Sequence, residues 1–526
     1  MNTELDNAGM RSEGTPNRES VWSAALEDRS LIIASHRGPL SLHQNSRNEL
    51  EITHNSGGLV TALSQLAAGL EATWIATAAS PTDASWKEGF LPLGTAGAQV
   101  RVEFIDPPQD AFDGYYNVIS NPLLWFLQHN MWDLYKEPTI DLSTWRAWEE
   151  GYTQVNRQFA QAIAARIRRQ RVPPLVMLQD YQLYLVPGLL REALRGRRRY
   201  TLTHFVHIPW PGSEDWGILP AGMRQPILES LCNVDLLGFQ VREDTVNFLR
   251  TCETYLPNAE VSYRRRRIWF RNHFTYVRDF PISIDVDGLR EMSASAQVLE
   301  YRERLQELAA GRQVILRVDR TDPSKNILRG FQAYRGLLEQ FPEHREQVVF
   351  MAMLVPSRQG VPQYQSYLDD IQALAQQINA EFGKDHWQPI LLFLGEDYPR
   401  AVAAESLYDV LLANSIADGM NLVAKEGPVV NEKDGVLILS QRTGARQELD
   451  PGAISISPVD VFATTQALHL ALTMPEDERR QRASLLGWIV EHHTVYDWFS
   501  DQMETILHLG LLRPPVQGRA RSKGQA

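Results

Sequence analysis

Residues 418–426 read DGMNLVAKE, and this segment is the strongest indication of the fold in the sequence. Its polar, glycine-containing start followed by an apolar pattern predicts a turn that opens a helix. The uninterrupted apolar run Val410–Ala413 just before it predicts a buried strand. A strand, a turn and a helix in that order form the unit of a parallel sheet, whose ligands lie at the carboxyl ends of the strands. The first-turn amides of such a helix, with its dipole, would face an anion.

Similar apolar runs occur along the whole chain, separated by segments with helical period, as in βαβ units. One such segment, Thr153–Gln170, repeats apolar residues every four positions. The predicted strands are Leu31–Ala34, Leu175–Leu178, Leu202–Val206, Val314–Val318, Val348–Leu354, Ile390–Leu394, Val410–Ala413 and Val436–Leu439. The segment Phe280–Gly288 separates two groups of strands and precedes a predicted helical segment, Leu289–Ala310. The pattern predicts an α/β protein of two Rossmann-like halves with a cleft between them.

Charged and hydrogen-bonding residues follow several predicted strands. Arg320 and Lys325 lie five positions apart after one of them, where two cations can flank a diphosphate. A surface pair neutralised by Asp319 and Asp322 is the alternative. Asp418 could accept hydrogen bonds from sugar hydroxyls and Glu426 from a ribose; alternatively they are a helix N-cap and a solvated carboxylate.

Three further features are weaker as signals. Gly57 and Gly58 precede a helical pattern, so their amides could approach a phosphate, although a plain turn explains two glycines equally well. Asp180 and His207 follow two predicted strands. A strand-end carboxylate and a buried structural histidine are the ordinary interpretations of such residues.

The length, net charge and cysteine content of the chain exclude several classes of protein. The chain has 526 residues, enough for two large domains or about three, and a formal charge of 52 − 64 = −12. No global positive field would attract a nucleic acid or an anionic membrane. Two cysteines argue against a disulfide framework and a structural zinc site. Without a signal-peptide pattern or a long apolar segment, the sequence predicts a cytoplasmic protein with disordered tails at residues 1–25 and 511–526.

Taken together, the motifs resemble the trehalose-6-phosphate synthase family, over about residues 30 to 505. The motifs are Arg37, GGL at 57–59, YYNVISNPLLW at 115–125, QDYQL at 179–183, HIPWP at 207–211, RTDPSK at 320–325, SR at 357–358 and DGMNLVAKE at 418–426. The resemblance implies a retaining glycosyltransferase of the GT-B fold. It implies an acceptor domain at 26–284, a nucleotide-sugar domain at 285–487 and a helix at 488–510 that crosses back to the first domain.

The resemblance also implies a role for each matched residue. The donor site would comprise Gly57, Gly58, His207, Arg320, Lys325, Asp418, Gly419, Met420, Asn421, Leu422 and Glu426. The acceptor site would comprise Arg37, Tyr116, Trp125, Asp180 and Arg358. Asp180, His207, Arg320 and Lys325 would act in catalysis. No metal ligand and no cofactor are expected.

The implied reaction transfers glucose from a nucleotide-glucose to glucose 6-phosphate and gives trehalose 6-phosphate. His36, Gln182 and Asn326 depart from the family's usual Asn, His and Gly. The strings DYQL at 180–183, HIPWP at 207–211 and RTDP-K-N at 320–326 are similar to the validoxylamine-phosphate synthase branch. A pseudo-glycosyltransferase that couples a nucleotide-cyclitol to an aminocyclitol phosphate is therefore an alternative, as is a non-catalytic relative that senses sugar phosphates. The sequence leaves open the nucleotide base, the exact acceptor and whether the chain forms a homo-oligomer.

Overall fold

The fold is built on two large sheets that belong to two lobes. The structure, a computed structural model, describes residues 26, 29–44, 49–54, 72–86, 89–92, 99–195 and 200–513. Within those ranges the strands form a ten-stranded sheet, a six-stranded sheet and a two-stranded hairpin. We call the lobe around the ten-stranded sheet the first lobe and the lobe around the six-stranded sheet the second lobe.

The first lobe has a parallel centre and antiparallel edges. Its strands are β1 (Leu31–Ala34), β2 (Leu40–Gln44), β3 (Leu50–His54), β4 (Ala72–Thr77), β5 (Gly89–Pro92), β6 (Gln99–Ile105), β7 (Leu175–Gln179), β8 (Thr201–Phe205), β9 (Leu236–Phe239), β10 (Glu260–Ser262), β11 (Arg267–Phe270) and β12 (His273–Asp279). The large sheet has the order β10-β11-β12-β9-β8-β7-β1-β4-β6-β5, and β2 pairs with β3 apart from it. Strands β1, β4, β7 and β8 are buried along their whole length. Helices on both faces of the sheet account for this burial.

The second lobe is a parallel sheet throughout. Its strands are β13 (Gln313–Arg320), β14 (Val348–Val355), β15 (Ile390–Leu394), β16 (Val410–Ala413), β17 (Val436–Ser440) and β18 (Ile454–Ile456). Their order is β15-β14-β13-β16-β17-β18, and each neighbouring pair is parallel. Because the order reverses at β13 and β16, the loops after these strands border a crevice at their carboxyl ends.

Helices pack on both sheets. Those of the first lobe are α1 (Pro81–Ser85), α2 (Gln109–Asp113), α3 (Trp125–Gln128), α4 (Leu142–Arg146), α5 (Gln154–Arg169), α6 (Val186–Ala193), α7 (Ser213–Trp216), α8 (Ala221–Leu231) and α9 (Arg242–Tyr255). Those that follow are α10 (Val286–Ser293), α11 (Ala296–Ala309), α12 (Ile327–Gln340), α13 (Pro362–Phe382), α14 (Tyr398–Glu405), α15 (Val423–Val430), α16 (Arg446–Leu449), α17 (Val461–Thr473), α18 (Glu476–Glu491) and α19 (Val495–His508). Wider π-helical turns occupy Gly114–Leu124 and Ala147–Thr153, and 3₁₀ turns occupy Tyr181–Leu183, Pro323–Lys325 and Pro342–His344.

The predicted α/β class is confirmed, and all eight predicted strands are present with ends that agree to within two residues. The predicted helix Thr153–Gln170 is α5, Gln154–Arg169. The predicted segment Leu289–Ala310 is two helices rather than one. Ser295 divides them, because its extended backbone leaves the helix and its hydroxyl caps α11 by accepting a hydrogen bond from Val298 N at 3.4 Å.

The last helix, α19, packs against the first lobe. Its Trp498 ring meets Phe205 of β8 edge-on at 5.2 Å, and Val495 N donates to Ile284 O at 3.0 Å. The predicted crossing helix at 488–510 is interrupted after α18, where Thr494 forms a capping box with Asp497. The division between the lobes that we propose, at 284/285, falls between β12 and α10.

The ends of the chain lie mostly outside the described residues, which include none of 1–25 and none of 514–526. Within the predicted C-terminal tail, Leu511 O accepts from Thr201 Oγ1 at 2.9 Å and Arg513 pairs with Asp235 at 2.6 Å. The chain is therefore held against the first sheet as far as Arg513. Over the described ranges, no helix has the length and apolar character needed to cross a bilayer.

Candidate active site

The two lobes meet where the carboxyl ends of their strands face each other. Trp125 of the first lobe donates its indole N–H to Asp322 Oδ1 of the second at 3.2 Å. The Arg320 guanidinium lies 5.6 Å from the centre of the same indole ring. Asp180 and His207 follow β7 and β8 of the first lobe. The structure thus brings together, in one cleft, residues that the sequence places as much as 197 positions apart.

Lys325 and Asp418 form an ion pair inside this cleft. The ammonium donates to Asp418 Oδ2, and the two side chains are 13% and 15% exposed. Asp319 pairs with the buried Arg317 at 2.8 Å instead. The alternative of a surface pair neutralised by Asp319 and Asp322 therefore does not hold for Lys325, which connects the loop after β13 to the DGMNLVAKE turn. Arg320, the other member of that pair, is exposed.

The turn 419–422 presents its backbone to the cleft. Asn421 adopts a left-handed conformation, φ 77°, and its side chain accepts from Ala424 N at 3.1 Å, so it caps α15 in place of Asp418. The Met420 side chain is buried in the core, 3% exposed. Among the described residues we find no protein acceptor for the amides of Met420, Asn421 and Leu422. These amides and the start of α15 can receive an anion.

Gly419 lies against the backbone of the first lobe. A Cβ at this position would lie 1.8 Å from His207 O and 2.8 Å from His207 C, both backbone atoms of the first lobe. No side chain can be accommodated unless the two backbones separate. The glycine thus sets the distance between the donor turn and the strand end that carries His207.

We expect Gly419→Ala to lower kcat roughly 10- to 100-fold, because the clash moves the two halves of the site apart by an ångström or more. Steady-state kinetics would measure the effect. Gly487→Ala is a matched control, since a Cβ there meets only Pro428 O at 3.6 Å. A Gly419→Ala enzyme as active as this control would show that the approach of the lobes is not needed for turnover.

His207 is held as a neutral imidazole. Its Nε2 lies 2.9 Å from Gln179 Oε1 and its Nδ1 lies 3.3 Å from Gln240 Nε2. A glutamine amide nitrogen only donates, so Nδ1 accepts and the ring proton is on Nε2. Burial, with a smaller contribution from His204, lowers the pKa of His207 to about 3. A ligand hydroxyl would reach the ring by displacing the longer bond, that of Gln240.

Asp180 combines backbone strain with a perturbed carboxyl. Its φ of 70° and ψ of 177° lie in a region that L residues rarely adopt. Its Oδ1 accepts from His207 N at 3.1 Å. Burial raises the pKa of Asp180 from 3.8 to about 7, although hydrogen bonds from the His207 and Tyr181 amides act in the opposite direction. The carboxyl is therefore partly protonated at neutral pH.

We expect Asp180→Asn to change the pH dependence of stability. The wild-type folded pKa lies above the unfolded one, so the wild-type protein loses stability as pH rises from 3.8 through about 7. The amide does not titrate, so the free energy of unfolding of the variant, relative to wild type, should increase by on the order of 2–3 kcal/mol over that window. Urea unfolding at several pH values measures this. A difference that does not vary with pH would contradict the raised pKa.

On the acceptor side, Arg358 is enclosed by aromatic and acidic groups. Its guanidinium donates to Asp322 Oδ2 at 2.6 Å, to the Tyr364 hydroxyl, and to the Tyr181 hydroxyl at 3.3 Å. It also lies 3.8 Å from the centre of the Trp125 ring. Burial by itself would raise the pKa of Asp322, but attraction to Arg358 and Arg320 outweighs it and lowers the value to about 2.

A neighbouring cavity of about 330 Å³ is lined by Arg37 and Tyr116, among others. The ring of His36 stacks on Tyr116 at 4.4 Å, and its Nδ1 lies 3.1 Å from Thr77 Oγ1. Burial, together with Arg37 and Arg358, lowers the pKa of His36 to about 3, so this ring is neutral. Arg37 itself is exposed and lines this cavity.

Glu426 is not a solvated helix carboxylate. It is half-buried and accepts from the Tyr398 hydroxyl at 3.3 Å. Glu405 is fully buried beside it, and within the part of the chain that the structure describes neither of its oxygens has a hydrogen-bond partner. Burial raises the pKa of Glu426, and burial together with the charge of Glu426 raises that of Glu405. A proton is thus favoured on this pair of carboxyl groups, one of which, Glu426, is the residue predicted to bind the ribose.

Two predicted donor residues, Gly57 and Gly58, lie outside the described residues. Several groups around the site were missed from the sequence. Asp322 was considered only as a neutralising neighbour, and Tyr364 gave no signal because it lies inside helix α13. Gln179, which orients His207, sits at the end of β7 and could have been included on that ground.

Known proteins are similar to this chain in sequence and in fold. The sequence profile of glycosyltransferase family 20 matches residues 29–508. The chain belongs to glycosyltransferase family 20. This membership confirms the family that the sequence motifs indicated.

Relatives within family 20 are similar over most of this chain. An alpha,alpha-trehalose-phosphate synthase [UDP-forming] of Schizosaccharomyces pombe is 31% identical over 496 residues, 93% of each protein. A bifunctional trehalose-6-phosphate synthase/phosphatase of Thermoproteus tenax is 32% identical over 93% of this chain. The chain spans 65% of the length of that second relative.

Solved structures with the same fold include ligand complexes. A Burkholderia xenovorans alpha,alpha-trehalose-phosphate synthase (UDP-forming) in complex with glucose-6-phosphate has a TM-score of 0.77 and 25% identity, and covers 91% of this chain and 100% of its own. A trehalose-6-phosphate protein from E. coli bound with UDP-2-fluoro glucose has a TM-score of 0.78 and 25% identity, covering 92% and 100%. The predicted GT-B architecture is thereby confirmed.

Proposed function

We propose that this chain is a retaining glycosyltransferase that transfers glucose from a nucleotide-glucose to glucose 6-phosphate, giving trehalose 6-phosphate and a nucleoside diphosphate. The observation that carries the proposal is the Lys325–Asp418 ion pair beside the turn 419–422, whose backbone amides have no acceptor among the described residues. Trp125 and His207 of the first lobe lie across the cleft from this pair. The cation and the amides match the diphosphate of a nucleotide-sugar, and the carboxylate matches the hydroxyls of its sugar.

On the donor side, Arg320 and Lys325 would hold the diphosphate, with the amides of Met420 to Leu422 completing its coordination. Asp418 Oδ2 also accepts from Asn421 Nδ2 at 3.2 Å and from Ser415 Oγ at 3.3 Å, so its second oxygen is left for a sugar hydroxyl. Glu426 would accept from the ribose. A relative's complex with a UDP-glucose analogue supports this assignment.

On the acceptor side, Arg358 and Arg37 would meet the 6-phosphate from two directions, and Tyr116 and Trp125 would frame the sugar. The cavity of about 330 Å³ beside His36 is of the size that one sugar phosphate needs. A relative's complex with glucose-6-phosphate supports an acceptor of this class. Asp180, which lies between the two sites, would accept a hydrogen bond from an acceptor or donor hydroxyl.

In the reaction, the bond between the anomeric carbon and the donor phosphate oxygen breaks as the acceptor hydroxyl attacks from the same face. The departing phosphate takes the hydroxyl proton, and the diphosphate carries away the bonding electrons. Arg320, Lys325 and the helix amides stabilise the charge that develops on the leaving group. Closure of the lobes at Gly419 excludes water, which would otherwise hydrolyse the donor.

Incubation of the protein with glucose 6-phosphate and UDP-, GDP- or ADP-glucose tests the proposal. Release of the nucleoside diphosphate, and a disaccharide phosphate of retained configuration by NMR, is the expected result. Turnover in the presence of EDTA is expected to be unchanged, because protein cations hold the leaving group. No diphosphate release with any donor would refute the proposal and favour a ligand-sensing relative.

One observation keeps a second acceptor class open. His36, where relatives of this kind usually have Asn, forms a wall of the acceptor cavity through its stack on Tyr116. An acceptor with an amino group in place of a hydroxyl would meet the neutral His36 ring in this wall. Including an aminocyclitol phosphate and a nucleotide-cyclitol in the same assay discriminates the pseudo-glycosyltransferase: higher kcat/KM with that pair would replace the glucose assignment.

A further inference from the structure

A cluster of metal-ligating side chains lies on the second lobe, away from the cleft. It comprises Glu343, His344 and His469. His344 ends the 3₁₀ turn after α12, and His469 is in α17, which packs along α12. Because α12 has 14 residues and starts just after Lys325, the cluster lies about 21 Å from the donor loop. None of these side chains serves the proposed glycosyl transfer.

The three ligand atoms already converge. His344 Nε2 and His469 Nδ1 are 2.9 Å apart, and a carboxylate oxygen of Glu343 completes a set in which all atoms lie within 4.8 Å of one another. The His469 ring is fixed by Phe341, which stacks on it at 3.8 Å with an interplanar angle of 6°. His344 is buried, 5% exposed. The imidazoles would therefore lose little side-chain freedom on binding an ion.

Two imidazoles and one carboxylate are ligands that Zn²⁺ favours. With Zn–N bonds of about 2.0–2.1 Å, two nitrogens on a tetrahedral ion are about 3.3 Å apart, so the present contact needs to open by only a few tenths of an ångström. Both rings can carry their proton on the far nitrogen, His344 Nδ1 and His469 Nε2, which leaves a lone pair on each facing nitrogen. Water would complete the coordination.

We propose that Glu343, His344 and His469 bind Zn²⁺ and that the ion fastens the C-terminal end of α12 to α17. The sequence predicted no metal site, because histidines 125 positions apart give no short-spacing signal. The plain alternative is a hydrogen bond between the two rings that serves the same fastening without an ion. The two differ in whether a divalent ion binds saturably.

The test uses the full chain, free of any affinity tag and treated with chelator, titrated with Zn²⁺ by calorimetry and with Co²⁺ by visible absorption. We expect one ion per chain, d–d bands typical of a four- or five-coordinate Co²⁺ site, and a rise of at least about 2 °C in the unfolding midpoint at saturation. Glu343→Gln, an exposed change that leaves folding intact, and His469→Ala should each weaken Zn²⁺ binding at least about tenfold.

His386→Ala is the matched control, since His386 forms an exposed pair with Glu346 at 2.7 Å outside the cluster. Its Zn²⁺ affinity should equal that of wild type. Equal affinity in Glu343→Gln, His469→Ala and wild type, or a loss in His386→Ala instead, would show that the ion binds elsewhere and would overturn the proposal. So would the absence of saturable binding.

Discussion

Lys325→Ala is expected to lower kcat by about 100- to 1000-fold, the usual loss when a group that stabilises a developing charge is removed. The Lys325 ammonium, 13% exposed, is the cation that the structure places between the loop after β13 and the turn 419–422. Without it, the charge on the departing diphosphate is met by Arg320 and backbone amides alone. The donor KM should rise less than kcat falls, because the charge grows in the transition state. Initial rates of nucleoside diphosphate release measure both.

Two variants separate this effect from a loss of structure. Lys325→Arg keeps the charge but changes its shape, so intermediate activity is expected. Lys433→Ala removes an ammonium that pairs with Asp409 at 3.4 Å outside the cleft, and its kcat should match that of wild type. If Lys325→Ala retains kcat within a factor of about three, the donor site has been assigned to the wrong loop.

Most of the central strands could be predicted because both faces of a parallel strand are covered, so the sequence reads as an apolar run. The strands β4 and β9 are also central and buried but were not predicted, because Thr73 and Gly238 interrupt their apolar runs. Strands β10 and β11 lie at an edge of the sheet, and the basic stretch Arg264–Arg267, which reads as a solvated turn or a hairpin edge, ends at the first residue of β11. The motif at 115–125 lies almost wholly within the π-helical segment Gly114–Leu124, whose backbone breaks at Asn121 because a proline, here Pro122, disfavours helical backbone in the residue before it.

Some residues of the candidate site could be predicted from local sequence, and others could not. Lys325 and the DGMNLVAKE turn could be predicted because each directly follows a strand of one sheet, and parallel strands bring their carboxyl ends together. The contact of Trp125 with Asp322 could not, because it joins two lobes and residues 197 apart. Nothing local in the sequence encodes which indole meets which carboxylate. Such pairs follow only from the closed arrangement of the lobes.

Arg358→Ala is expected to reduce the free energy of unfolding by about 3–5 kcal/mol, because it leaves the carboxylate of Asp322 buried without its cation. The Asp322 side chain is 0% exposed and the Arg358 side chain is 5% exposed, so solvent cannot replace the partner. Arg335→Ala is the comparison, since that arginine pairs with Glu339 at the surface of the same lobe and its loss should cost below about 1 kcal/mol.

The pH dependence of Arg358→Ala should identify the cause. In the wild-type protein the Asp322 pKa of about 2 lies below 3.8, so its contribution to stability is present above pH 3.8 and is lost as pH falls toward 2. Without Arg358, burial is the largest remaining influence, so this pKa should rise from about 2. The deficit of the variant relative to wild type should therefore grow as pH increases from about 2 to the higher pKa of the variant.

The double variant Asp322→Asn/Arg358→Ala completes a double-mutant cycle with the two single variants. Removing the carboxylate charge as well should recover part of the stability at pH 7 and abolish the pH-dependent deficit. The acceptor KM should stay above that of wild type, because only Arg37 remains of the two arginines proposed to meet the 6-phosphate. Urea unfolding and acceptor saturation curves measure the two effects separately. A double variant no more stable than Arg358→Ala would mean that the guanidinium acts through its packing on Trp125, 3.8 Å away, rather than through the charge of Asp322.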